Sequence, residues 1–207
     1  MLIPALDKVI STIRACSASA QRLVVAIDGR SGSGKSTVAQ ALARDIGAAI
    51  VPCDDFFAVN VSNVEWDALT PEQRVAEAMD WRRLRREAIE PLRSGRPALW
   101  YAFDFQAGPR SNGTYPLRVA PTELGSKPVV LLDGTYAARP ELTDILDVSV
   151  LVEAAPTTRA VRLAAREAPD VLLRWHARWD AAEEHYFTCV RPPPTFDVIL
   201  RTDVIAA

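Results

Sequence analysis

The sequence predicts an α/β fold with a mainly parallel sheet and helices on both faces. Two observations carry this. The runs Leu23–Ile27 and Val129–Leu132 are apolar throughout, and Val148–Val152 is interrupted by Ser149 alone, as suits strands buried on both faces. Segments with helical spacing separate these runs, which is the alternation that parallel β-α-β units produce. With 207 residues, 49% of them apolar, the chain can bury one sizeable core without a disulfide or metal staple.

The elements follow in order. Ile3, Leu6, Ile10 and Ile13 recur at helical spacing and predict an amphipathic first helix. Leu23–Ile27 is the first strand, ended by Asp28 and a glycine-rich loop. Thr37 to Ile46 reads as a helix, because Val38, Leu42 and Ile46 fall on one face. Ala48 to Val51 is a second strand stopped by Pro52. Thr70-Pro71-Glu72-Gln73 is a helix start, with threonine as cap, proline at the first helical position and glutamine closing a capping box. That helix is expected to run to about Ser94, where Gly95 and Pro97 end it. Ala98 to Phe105 alternates weakly and is expected as a strand; residues 106–127 read as a loop or small hairpin. After the strands at 129–132 and 148–152, helices are expected at roughly 156–168 and 170–190. Pro192-Pro193-Pro194 breaks the chain before a last strand, Phe196 to Leu200.

The overall charge of -2 leaves no global basic field, so nucleic acid is not an expected partner. Cys16, Cys53 and Cys189 are far apart with no C-x-x-C, which argues against a disulfide framework or zinc site. His176 and His185 show no metal-ligand spacing. No apolar run reaches membrane-spanning length, and Asp7, Lys8 and Arg14 break any signal-peptide pattern. A cytoplasmic protein with no membrane partner is the expectation.

Chemistry concentrates at the expected carboxyl ends of strands, where sheets of this kind build their sites. These ends read Asp28-Gly29, Cys53-Asp54-Asp55, Asp104 and Asp133-Gly134. Between the first strand and its helix, Gly29-Arg30-Ser31-Gly32-Ser33-Gly34-Lys35-Ser36 fits G-x-x-x-x-G-K-[ST], with Thr37 next. Glycines let backbone N–H groups wrap a phosphate, and the helix start adds positive potential. Lys35 reaches the outer phosphates and the Ser36 hydroxyl ligates Mg²⁺. Lys8, Lys35 and Lys127 are the only lysines in an arginine-rich chain, so Lys35 stands out. Asp133 suits a carboxylate that orients Mg²⁺, or else a turn aspartate before Gly134. Asp54 suits a base for an acceptor hydroxyl, or else a loop or cap acid. Arg159, Arg162 and Arg166 share one helix face, either to hold phosphates or as a solvated surface. Arg82, Arg83, Arg85 and Arg86 can pair with Glu87 and Glu90. Trp175 and Trp179 read as packing residues.

Together these residues resemble the uridine kinase/phosphoribulokinase-type P-loop kinases. The phosphate loop and Asp54-Asp55-Phe56-Phe57 begin the resemblance. Asp80-Trp81, Tyr101-Ala102-Phe103-Asp104-Phe105 and Val129 to Gly134 continue it in order. Thr158-Arg159 with Arg162, then Trp179, Glu183, Tyr186-Phe187 and Phe196-Asp197-Val198-Ile199, complete it. The resemblance implies an α/β P-loop NTPase fold of the nucleoside kinase kind over residues 1–207. It implies an acceptor-side region at about 57–127 and a short lid at about 159–178. It implies ATP and Mg²⁺ as cofactors and Asp54 as general base. It also puts an acceptor pocket on Phe57, Asp80, Phe103 and Asp104, and phosphate-clamping arginines at Arg159, Arg162 and Arg166.

Three functions remain open at this level. One is a kinase for the 5′-hydroxyl of a uridine- or cytidine-like nucleoside. Another is a kinase for a nucleoside monophosphate, held by Arg82, Arg83 or Arg110, or for another hydroxylated metabolite. The third is an ATP-binding module without catalysis.

Overall fold

The computed structural model describes residues 4–17 and 21–203; for 4, 5, 169–172 and 175 it describes the backbone alone. The chain opens with α1 (Pro4–Ser17), continues through β1 (Leu23–Asp28) and α2 (Lys35–Ile46), and reaches β2 (Ala49–Pro52). Short helices α3 (Asn63–Ala68), α4 (Pro71–Glu77), α5 (Trp81–Leu84) and α6 (Glu90–Arg93) follow. Strands β3 (Ala98–Trp100) and β4 (Thr122–Leu124) precede β5 (Val129–Asp133) and β6 (Val148–Glu153). Helices α7 (Pro156–Arg166) and α8 (Pro169–His185) lead to β7 (Val198–Arg201).

The central sheet has five strands in the order β2-β5-β1-β6-β7, and every pairing is parallel. Side chains alternate across a strand, so the apolar runs supply two cores at once. Leu23, Val25 and Ile27 of β1 pack with Leu131, Val150, and the buried faces of α1 and α2. Val24 and Ala26 face the other side, with Val130, Leu132, Trp66, Val75, Leu92 and Trp179. This is the predicted class: a parallel sheet with helices on both faces. Parallel pairing also brings the carboxyl ends of β1, β2 and β5 together at one edge, which positions the site.

The largest departure from expectation lies at 70–94. The Thr70 capping box forms as predicted. The helix, however, stops after Glu77, because Met79 forms a bridge with Phe57 and the Asp80 N–H bonds to Phe56 O. The Asp80 carboxylate then caps a new helix by accepting from the Arg83 N–H. Further on, the Glu90 N–H reaches back to Arg85 O, one residue beyond helical register. Pro91 lacks an N–H, so the loosened turn falls just before it. Helix α3 was not expected. Its signal was readable: Ser62 and Glu65 form a reciprocal capping box.

Strand β3 is shorter than expected and pairs antiparallel with β4, outside the central sheet. Asp104 therefore does not end a strand of the main sheet. Helix α8 gives way to a wide helical turn at Tyr186–Val190, and the last strand starts at Val198. Ile3 and the Trp175 side chain lie outside the described residues.

Three arginines of the basic cluster are tied into the fold. Arg83 is buried and donates to Tyr101 O and Asp55 O, tying the α5 segment to the strand-two turn. Arg85 pairs with Asp144 and Glu90, and Arg86 with Glu87. Arg139 is also buried; it donates to Met79 O and Ala76 O and pairs with Glu141. These bonds fix the segment that walls the cleft. Among the described residues, no helix is long and apolar enough to cross a membrane.

Candidate nucleotide and acceptor site

The loop between β1 and α2 is shaped by what glycine alone permits. Gly32 and Gly34 have φ of 76° and 92°, in the left-handed region. A Cβ on Gly32 would lie 2.8 Å from Arg159 O, so α7 sits directly on the loop. A Cβ on Gly29 would fall 2.2 Å from Val152 O. Helix α2 has no side-chain cap at Gly34, which leaves its first N–H groups available to an anion. Lys35 Nζ donates to Arg30 O at 3.0 Å and lies folded across the loop.

Three carboxylates surround this lysine. Asp28 is fully buried and accepts from Gly29 N–H, Tyr136 N–H, Ala138 N–H and the Tyr186 hydroxyl. Burial pushes its carboxyl up to about 6, while those bonds and Lys35 pull it down. It is therefore ionised at neutral pH and ties the loop to the β5 end and α8. Asp28→Asn would turn an amide N–H₂ toward donors that have no other acceptor. We expect it to destabilise the fold by about 3 kcal/mol, read as a lower urea midpoint; an unchanged midpoint would remove this bracing role.

Asp133 is held by a hydrogen bond from Ser36, while its Oδ1 is buried without a partner. Burial raises its carboxyl, against the Ser36 bond and the Lys35 charge. Asp54 opens to the cleft, and its residue surface is exposed. Protein atoms still crowd the carboxyl enough to raise it, helped by Asp133 and Asp55 and opposed by Lys35 and Arg166. Water in the open cleft moderates that rise. Asp55 points elsewhere and accepts from Trp100 Nε1 at 2.8 Å.

The structure brings Lys35, Ser36, Asp54, Phe57, Asp133 and Arg166 around one cleft of about 220 Å³. Ser31 also lines the cleft, and its N–H and hydroxyl donate to Glu183, the latter at 2.5 Å. Other expected site residues are placed differently. Arg30 pairs with Glu184 and stacks 5.2 Å over Phe187. Arg162 donates to Gly32 O, Ser33 O and Thr202, and Arg159 to Ser31 O. These two arginines brace the loop from behind. Arg166, at the cleft, is exposed and also paired with Glu167. Asp80 is committed to its helix cap, and Asp104 accepts from Gln106 and Ala107 N–H as a loop cap. Arg110 donates to Tyr115 O within its own loop. None of these three lines the cleft.

Sequence reasoning missed several wall residues. Met79, Phe105, Tyr136, Trp179 and Glu183 all line the cleft. Phe57 gathers the aromatic side, with ring centroids 5.3 Å from Phe103, 6.1 Å from Phe105 and 5.2 Å from Trp179. Trp179 at helical spacing from Trp175 looked like packing alone; it packs and also walls the cleft. Across the loop lies a second cavity of about 500 Å³, lined by residues including Arg30, Val152, Ala154, Arg159 and Phe187.

A parallel five-stranded sheet with this loop between β1 and α2 defines a P-loop NTPase fold. The AAA domain family (AAA_18) matches residues 25–186, and the chain belongs to that family. Among solved structures, it is similar to a protein provisionally described as a uridine kinase from Bacillus stearothermophilus. Identity there is 20%, TM-score 0.61, and coverage 93% of this chain and 99% of that one. A provisionally described fructose transport system kinase from Silicibacter sp. TM1040 shares 24% identity, with TM-score 0.67 and coverage of 96% and 99%. D-glycerate 3-kinase from Cryptococcus neoformans var. grubii shares 13%, with TM-score 0.59 and coverage of 85% and 84%. At these identities the likeness is one of fold.

Proposed function

We propose that the protein is an ATP- and Mg²⁺-dependent small-molecule kinase acting on a hydroxyl of an uncharged acceptor, uridine- or cytidine-like nucleosides being the first class to test. One observation carries this reading. Asp54 faces the same cleft as Lys35, Ser36 and Asp133. A protein that only binds nucleotide has no use for a carboxylate there, whereas transfer to a hydroxyl needs one.

The residues fit a metal–nucleotide pair. Asp133 Oδ1 lacks a partner and Ser36 lies against the same carboxylate, so these two would hold Mg²⁺. Among the described residues there is no cluster of three His, Cys, Asp or Glu to hold a metal alone. This suits an ion that shares its shell with phosphates and water. When bound, the ion supplies charge neutralisation at the transferring phosphoryl group. Lys35 and the open N–H groups of α2 hold the outer phosphates. Asp54 orients the acceptor hydroxyl and takes its proton as the new O–P bond forms and the bond from the γ-phosphorus to the bridging oxygen breaks, releasing ADP. Phe57, Phe105 and Trp179 exclude water and offer ring faces to an acceptor base or sugar. The cavity beside Phe187 suits the nucleotide base.

A phosphorylated acceptor has less support. Arg82 stacks on Trp81, Arg83 is buried on backbone carbonyls, and Arg110 is bound in its loop. The test is ADP release from Mg-ATP with nucleosides, nucleoside monophosphates and small neutral or anionic metabolites. Acceptor-dependent release with a neutral compound is expected. ATP binding without release above background for any of them overturns the kinase reading.

A further inference from the structure

Tyr136 is held in an unfavourable backbone state with an orphaned hydroxyl. Its φ of 72° makes it the non-glycine residue with positive φ among those described. That region is strained for a bulky side chain, and such strain gathers at functional sites. The bond from its N–H to Asp28 Oδ1 at 3.0 Å holds it there. The side chain is 6% exposed, and its hydroxyl is buried without a partner. It nevertheless lines the cleft that holds Asp54 and Lys35.

Packing does not account for this hydroxyl. The Tyr136 ring meets the Tyr186 ring edge-on, centroids 4.8 Å apart. Phenylalanine would make the same contact without burying an unsatisfied polar atom. The neighbouring Tyr186 shows the usual solution, since its hydroxyl donates to Asp28. The charges around Tyr136 narrow what it can bind. Glu183 and Asp28 are the acids near it; Arg139 and Arg30 are the cations, already paired with Glu141 and Glu184. Glu183 is itself buried, 4% exposed. A carboxylate or phosphate would meet these acids, whereas a hydroxyl can both donate to and accept from a phenol.

We propose that the Tyr136 hydroxyl binds a second hydroxyl of the acceptor, and that the acceptor is therefore a neutral polyol such as a nucleoside or a sugar. This deepens the kinase reading and rests on it. The acceptor's reacting hydroxyl sits at Asp54, its apolar face lies on the Phe57, Phe105 and Trp179 wall, and a further hydroxyl reaches Tyr136.

Tyr136→Phe tests this in the full chain. The probes are uridine, cytidine, D-fructose and glycerol, titrated in the presence of Mg²⁺ and a non-hydrolysable ATP analogue. At least one is expected to raise the thermal midpoint of the unmutated protein. In the variant that probe should bind about tenfold more weakly, with the shift from the nucleotide analogue alone unchanged. In turnover, KM for that acceptor should rise more than kcat falls. The variant without ligand should melt no lower than the parent, because no internal bond is lost. Equal probe affinity in both proteins overturns the proposal, as does a lower melting point of the free variant. Failure of all four probes to bind the parent also overturns it. The kinase reading is judged separately, by ADP release with anionic acceptors.

Discussion

Asp54→Asn is expected to lower acceptor phosphorylation by about 100-fold or more while leaving nucleotide affinity unchanged. The carboxyl lies in the cleft with Lys35 and Asp133; the protein atoms crowding it, then Asp133 and Asp55, raise it against Lys35 and Arg166. A raised carboxyl that is still ionised is a stronger base than an ordinary one at the same pH. Asparagine keeps the size and polarity but cannot take a proton. It also removes a negative charge near the phosphates, so nucleotide binding should not suffer. Saturating-ATP rates and an equilibrium nucleotide titration, run on the same preparation, separate the two quantities. Near-normal turnover would remove Asp54 as the base. A parallel loss of ATP affinity would instead place it in nucleotide binding.

The sequence made the sheet legible because its strands are buried on both faces. Leu23–Ile27 and Val148–Val152 carry apolar residues on both sides, and the structure shows why: odd and even positions feed different cores. The phosphate loop was legible for another reason. Its glycines and lysine answer a local requirement that no tertiary contact can override. The region from 57 to 127 was less legible. The helix expected from Thr70 to about Ser94 breaks at Met79 and Asp80, because Phe56 and Phe57, far away in sequence, supply competing backbone partners. No local propensity records that competition.

The same limit applies to the site. Asp54 and Asp55 are identical side chains in adjacent positions, yet Trp100 draws one away from the cleft and leaves the other in it. Arg159, Arg162 and Arg166 share a helix face, and that face rests on the loop rather than above it. Of these three arginines, Arg159 and Arg162 bond loop carbonyls, with Arg159 also at the second cavity, and Arg166 lines the cleft. Tyr136 carried no sequence signal at all. Its importance rests on an unpaired hydroxyl and a backbone angle, which are visible only in three dimensions.

Lys35→Ala should weaken nucleotide binding by about tenfold or more and lower turnover by about 100-fold or more. The ammonium lies among Asp28, Asp54 and Asp133, each of whose carboxyls it holds down. Without it, a triphosphate enters a site whose nearest charged groups are acids. The loop N–H groups remain, so binding should fall rather than vanish. Turnover should fall further, because charge moves onto the leaving phosphate oxygens as transfer proceeds and a positioned ammonium stabilises that state more than the ground state. Fold stability should also fall at neutral pH, since the ammonium holds down three neighbouring carboxyls besides donating to Arg30 O. Calorimetric titration with Mg-ATP, set beside a thermal melt, checks both statements. An unchanged titration would remove the phosphate-loop assignment. Lost turnover with full ATP affinity would place Lys35 on the transition state alone.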